Sequence, residues 1–170
     1  CAQVLIVVLS FLGVEIDVEI GTCLLTGIIT DTGGFQYSGV TAETFEFAAS
    51  LLNKGVKVSE IYKKAMNTKT KPSFELYRTA LSRMEFLEDG KIAFTYINNE
   101  DMEKYNADVG DREGIVEAGR SVEGVEVSCF LRETEKGYKF SLRSNEKVNV
   151  AKICLAFGGG GHIKAAGCNI

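Results

Sequence analysis

Apolar positions in the first third of the chain recur at the spacing of helices. Ala2, Val4, Leu5, Val8, Leu9 and Leu12 predict a first helix that Gly13 ends. Asp17 is placed to cap a second, over roughly 18–29, which is apolar nearly all round after Glu19 and so expected to be buried. It runs out in Thr30-Asp31-Thr32-Gly33-Gly34, where helix propensity collapses. Thr41 then caps a third helix, with Phe45, Ala48, Ala49 and Leu52 on one stripe and Gly55 at its end. Val58, Ile61, Tyr62 and Ala65 repeat the spacing in a shorter fourth. Up to Met66 the pattern predicts only helix.

The polar stretch from Asn67 to Ser73 turns the chain, and Pro72 suits the first turn of a further helix striped by Phe74, Tyr77, Leu81 and Met84. Glu88-Asp89-Gly90 signals a turn, after which the period drops to two. Ile92, Phe94 and Tyr96 alternate as a strand, and residues near 100–106 and 113–122 return to helix. Val125, Val127, Cys129 and Leu131 alternate again, as do Tyr138, Phe140 and Leu142 beyond a loop with Gly137, which predicts a hairpin. A last helix near 149–157 leads into four glycines and His162. The fold class is therefore α/β, an all-helical part followed by a mixed one. The apolar stripes are expected to form the cores, and the composition switch near Gly90 is the strongest boundary signal.

Composition narrows the function classes. The 170 residues are 45% hydrophobic and 25% charged, ordinary for a globular chain. The net charge of −4 argues against coating a long nucleic acid or an anionic membrane. The longest apolar run, Val4 to Val14, is too short to span a bilayer, and no signal peptide is expected. Five cysteines without a C-x-x-C pattern suggest reduced thiols and a cytoplasmic setting. A chain that starts with Cys rather than Met is expected to be part of something longer. Residues 136–170 hold six basic groups against one acidic, a balance of +5 on a remainder of −9. That points to a focused site for a small anion.

Three places could carry chemistry. Asp31, among hydroxyls and glycines at a helix end, either caps its own loop or offers a rigid carboxylate to a hard cation such as Mn²⁺ or Mg²⁺. One carboxylate is not a metal site, and no D-x-D or H-E-x-x-H completes it. Gly158 to Gly161, followed by His162 and Lys164, is either a flexible linker or an ordered loop whose N–H groups wrap a phosphate. The packed look of Ile163, Ala165, Ala166 and Gly167 favours order. Arg143-Ser144 ends the second hairpin strand, where Arg143 is either solvated or forks onto a phosphate.

Taken together, these stretches resemble a known family. Gly27-Ile28-Ile29-Thr30-Asp31-Thr32-Gly33-Gly34-Phe35 resembles the last metal motif of the DHH phosphoesterase domain. Gly158 to Gly161, His162, Ala165, Ala166 and Gly167 resemble the glycine-rich signature of the DHH-associated domain, with Ser141-Leu142-Arg143-Ser144 just before it. The subgroup it is most similar to combines oligoribonuclease (nano-RNase) and 3′-phosphoadenosine 5′-phosphate phosphatase activities.

The resemblance implies the helical C-terminal part of a Rossmann-like DHH domain over 1–68, a linking helix over 69–89, and a small DHH-associated domain with a mixed sheet over 90–170, C-terminally truncated. It implies Asp31 as one ligand of a Mn²⁺ pair, with Mg²⁺ an alternative, and Arg143, Ser144, Gly159, Gly160, Gly161 and His162 as substrate-binding residues. A cleft between two domains would limit substrates to short ones. The expected partners are short oligoribonucleotides or 3′-phosphoadenosine 5′-phosphate, with no long nucleic acid and no membrane, and a homodimer is an option. The D-x-D-type and Asp-His-His motifs of the family are absent, so this chain is expected to be an inactive fragment of a Mn²⁺-dependent hydrolase. Two alternatives stay open: a cyclic- or linear-dinucleotide phosphodiesterase, and a non-catalytic nucleotide-binding module. The related C-terminal domain of alanyl-tRNA synthetases, which also has a Gly-rich loop, is a third option, against which the Thr30–Phe35 motif upstream argues.

Overall fold

The structure, a computed structural model, describes residues 2–134 and 137–170. It divides into two compact units, Cys1–Thr68 and Lys69–Ile170. No helix among the described residues is long and apolar enough to cross a membrane.

The first unit holds α1 (Ala2–Phe11), α2 (Val18–Asp31), α3 (Ala42–Asn53) and α4 (Val58–Ala65). Asp17 caps α2 as expected, accepting from the Ile20 N–H at 2.9 Å. The interior of α2 is the centre of the unit: Leu24, Leu25, Ile28 and Ile29 pack with Ala48, Leu51, Val56 and Ile61. Two stripes are phased differently from the apolar pattern. On α1 only Ile6 is buried, while Val4, Leu5, Val7, Val8 and Phe11 are exposed. On α3 the inward residues are Thr44, Ala48 and Leu51, whereas Phe45 and Leu52 face out. Thr44 can be buried because its hydroxyl is satisfied, accepting from the Gln3 side chain and from the Thr41 N–H.

The second unit opens with α5 (Lys71–Ser82), which packs against β2. Its inward face is Ser73, Leu76, Thr79 and Ala80, one step round from the expected stripe, with Phe74 and Leu81 exposed. The strands are β1 (Glu85–Leu87), β2 (Ile92–Ile97), β3 (Val127–Thr134), β4 (Gly137–Ser144), β5 (Gly160–His162) and β6 (Ala165–Asn169). They form one mixed sheet in the order β1-β2-β3-β4-β6-β5, in which only β2 and β3 pair in parallel. The turn at Glu88-Asp89-Gly90, all three with positive φ, joins β1 to β2. The expected β3–β4 hairpin forms, its tip at Glu135 and Lys136 lying outside the described residues. Between β2 and β3 run α6 (Asn99–Tyr105), a 3₁₀ turn (Val109–Arg112) and α7 (Ile115–Arg120), and α8 (Val150–Ala156) follows β4.

Alternation along the strands assigns the two cores to opposite faces. Ile97 and Phe130 pack under Leu76, Ala80, Ile115 and Val116 on one face. Leu142, Ala166 and Cys168 pack under Val150, Ala151 and Cys154 on the other. A partly buried ion pair pins the start of α6. Arg83 forks onto Asp101 at 2.5 and 3.0 Å, and Asp101 also accepts from the Asn98 N–H. Burial raises the Asp101 pKa, but the Arg83 and Asn98 hydrogen bonds outweigh it and hold the carboxyl below the usual range. A depressed folded pKa adds stability above the unfolded value, and that stability is lost as pH falls through the folded one. Asp101→Asn is therefore expected to cost about 2 kcal/mol at neutral pH and almost nothing near pH 2, as read from urea unfolding at several pH values. An equal loss at both pH values would contradict the assignment.

Candidate functional site

Asp31 is the exposed last residue of α2. The turn after it is built, not slack. The Thr32 hydroxyl donates to the Ile28 carbonyl at 2.6 Å and accepts from the Phe35 N–H at 3.0 Å, while the Gly34 N–H donates to the Ile29 carbonyl at 2.7 Å. Gly33, Gly34 and Phe35 have φ of 58°, 71° and 67°, three left-handed residues in a row. Phe35 is the costly member, and its ring is held in a stack on Phe45 with centroids 5.1 Å apart. A side chain at position 33 would strike the Tyr37 ring, so this turn needs glycine for space as well as for φ. A carboxylate carried at the start of a turn fixed in this way suits Mn²⁺ or Mg²⁺ as one oxygen donor. Among the described residues, however, no group of three or more His, Cys, Asp or Glu converges to hold an ion. The residues present here do not by themselves fit a two-ion centre.

The other candidates belong to the second unit, where strand register sorts them. Arg143 pairs with Ala165 across β4–β6, and Ala165 pairs with His162 across β6–β5. Directly opposed residues share a face, so Arg143 and His162 flank Ala165 on one side of the sheet, about 10 Å apart. The next row on that side is Ser141, Gly167 and Gly160. The result is a floor of small residues with a guanidinium and an imidazole at its edge. Helix α8 covers the opposite face of these strands. Helix α7 approaches the open side at its β4 margin.

That approach supplies a partner the sequence did not reveal. Glu117 on α7 accepts from Arg143 Nε at 3.0 Å, and the Leu142 carbonyl accepts from Nη1 at 3.1 Å. Nε and Nη1 are thus both engaged, and Nη2 is left for a ligand. The pair is partly exposed, so it orients the side chain more than it stabilises the fold.

Several predicted residues serve the scaffold. Ser144 is buried on the opposite face, and its hydroxyl donates to the Val148 carbonyl at 2.6 Å. Lys164 donates to the carbonyls of Asn145 and Glu146, so its charge is not aimed at the floor. The backbone N–H groups of Glu146, Lys147 and Val148 close on the Glu126 carboxylate, an anion nest filled from within. The hydrogen bond from Val148, with those from Lys147 and Glu146, holds the Glu126 pKa down against the opposing effect of burial. The tetraglycine is not a wrapped loop either. Gly160 to His162 is strand β5, and a side chain on Gly159 or Gly161 would run into the backbone of β6.

Residues 89–170 match the model of the DHHA1 domain. This part of the chain is a DHHA1 domain. Over 99% of its length it is 37% identical to the bifunctional oligoribonuclease and PAP phosphatase NrnA of Thermus thermophilus, covering 50% of that protein. It is 30% identical over 90% of its length to the A-adding tRNA nucleotidyltransferase of Aquifex aeolicus, of which it covers 18%. The crystal structure of an exopolyphosphatase-related protein from Bacteroides fragilis superposes with a TM-score of 0.91 at 33% identity, across 99% of this chain and 51% of that one. The DHHA1 chain thus spans about half the length of the Thermus and Bacteroides relatives.

Proposed function

We propose that this DHHA1 chain is the substrate-holding part of a Mn²⁺-dependent phosphoesterase. The whole protein would release mononucleotides from very short RNA and dephosphorylate 3′-phosphoadenosine 5′-phosphate in the cytoplasm. The observation that carries the reading is the open floor of Ser141, Gly160 and Gly167 edged by Arg143 and His162. Glycine lets a ligand approach the backbone closely, while a fork-shaped donor and an imidazole meet a phosphate. Two relatives named for enzymes of RNA chemistry point the same way. The cysteines agree with a reducing setting: the four described ones are free, and burial pushes the thiols of Cys129 and Cys154 up to about 12 and about 11.

In this reading Arg143 and His162 bind and orient a phosphate of the substrate, and Glu117 fixes the angle of the guanidinium. Asp31 contributes one oxygen ligand to a Mn²⁺ site that the rest of the protein completes. When bound, the metal would supply an activated water and charge neutralisation. The whole protein, assayed with Mn²⁺ on di- to pentanucleotides, is expected to release mononucleotides, and no release would end the reading.

A second reading concerns the chain alone and is favoured by the lack of a converging ligand group among the described residues. By itself it binds adenine nucleotides without hydrolysing them. Turnover by the 170-residue chain above that of its Asp31→Ala variant would refute this.

A further inference from the structure

The open face has a second cationic end that the phosphate reading does not use. Lys139 pairs with Arg132 across β3–β4, so two positive side chains leave the same face directly opposite one another. Such like-charge pairing is unfavourable in a sheet unless something offsets it. Arg112 adds a third cation. Burial first, and the charge of Arg132 second, lower its pKa from the ordinary guanidinium value. Helix α7 runs along β3, with Gly119 against Ser128, and Arg112, in the turn before it, lies within electrostatic reach of Arg132. Among the described residues Arg112, Arg132 and Lys139 form no ion pair, whereas Arg78, Arg83 and Arg143 each have a carboxylate. Lys139 also leans over the floor, its Cε 3.9 Å from where a Cβ on Gly167 would sit.

We propose that Arg112, Arg132 and Lys139 form a second phosphate subsite, which holds an oligonucleotide phosphate further along the strand from the one at Arg143 and His162. The proposal rests on the phosphoesterase reading for the first phosphate. Lys139 and Arg143 are four residues apart on β4, about 13 Å. A short chain of nucleotides spans the distance from Arg143 to Arg132, with Lys139 leaning between them. A row of two phosphate positions on one sheet face reads the length of the ligand, not its sequence.

The test is equilibrium binding of 5′-phosphorylated di- and pentaadenylate to the full chain in EDTA, by fluorescence anisotropy across a salt series. In the double variant Arg112→Gln/Arg132→Gln, pentaadenylate is expected to bind at least tenfold more weakly, and diadenylate within twofold of the unaltered chain. The slope of log affinity on log salt for pentaadenylate should fall by about 0.7 for each phosphate that the variant no longer neutralises. The variant should melt no lower than the parent, because it relieves opposed charges. Unchanged pentaadenylate binding, an equal loss for both lengths, or a lowered melting temperature would each overturn the subsite. Arg143→Ala, by contrast, should weaken both lengths. If it weakens neither while the double variant weakens pentaadenylate, the subsite stands and the reading of Arg143 falls.

Discussion

Gly159→Ala and Gly161→Ala are each expected to destabilise the second unit by about 3 kcal/mol or more, while Gly160→Ala costs less than about 1. The difference lies in what a methyl group would meet. At Gly159 it would collide with the Gly167 carbonyl and Cys168; at Gly161 it would collide with the Ala165 carbonyl and with Ala166, and there φ is also +143°. Neither neighbour is the flexible end of a side chain, so β6 itself would have to move. That strand lies between β4 and β5 and covers Cys154 and Val150 with Ala166 and Cys168, so a shift opens the core beneath it. Gly160 faces open space at negative φ and escapes both penalties. For a unit of this size, about 3 kcal/mol lowers the melting temperature by more than about 10 °C. Thermal unfolding followed by circular dichroism reads this directly. A Gly159→Ala variant that melts with the parent would show that β5 does not pack as described.

The same glycines explain why this edge of the sheet is not legible in the sequence. Strands are read from branched and aromatic residues in alternation, and Gly-Gly-His followed by Ala-Ala-Gly offers neither. The run reads as a loop, yet its glycines are there because two backbones come too close for side chains. Elsewhere the periodicity carries real information. The capped and buried α2, the Tyr138–Leu142 strand and the α/β class all stand in the structure. The phase of α3 and α5 does not follow from it, because Thr44, Ser73 and Thr79 take buried positions while Phe45 and Phe74 lie outside. A satisfied hydroxyl buries cheaply, and hydropathy alone has no access to its partner.

Within the candidate site the division is similar. Arg143 and His162 attract notice as residue types, but their common face depends on β6 lying between them, which only the register reveals. Glu117 looks like an ordinary charge on a short helix, and nothing in its spacing points to Arg143, 26 residues away. Ser144 adjoins Arg143 in the chain, yet strand alternation turns it to the other side.

Arg143→Ala is expected to weaken binding of adenosine 3′,5′-bisphosphate to the chain by roughly 30- to 100-fold, about 2 to 3 kcal/mol, and to leave stability within about 0.5 kcal/mol. The asymmetry follows from its surroundings. The ion pair with Glu117 is partly exposed, so losing it costs the fold little, whereas a charge-assisted contact from the remaining donor to phosphate is among the stronger single interactions. Arg143→Lys should recover less than half of the lost free energy. An ammonium keeps the charge but cannot satisfy Glu117, the Leu142 carbonyl and a phosphate from one planar group. Glu117→Gln keeps an acceptor for Nε and should bind within threefold of the parent; Glu117→Ala, which releases the guanidinium, should fall between parent and Arg143→Ala. Titration calorimetry on the four variants orders them. If Lys at position 143 binds as tightly as Arg, charge alone is what the site uses, and Glu117 has no orienting role.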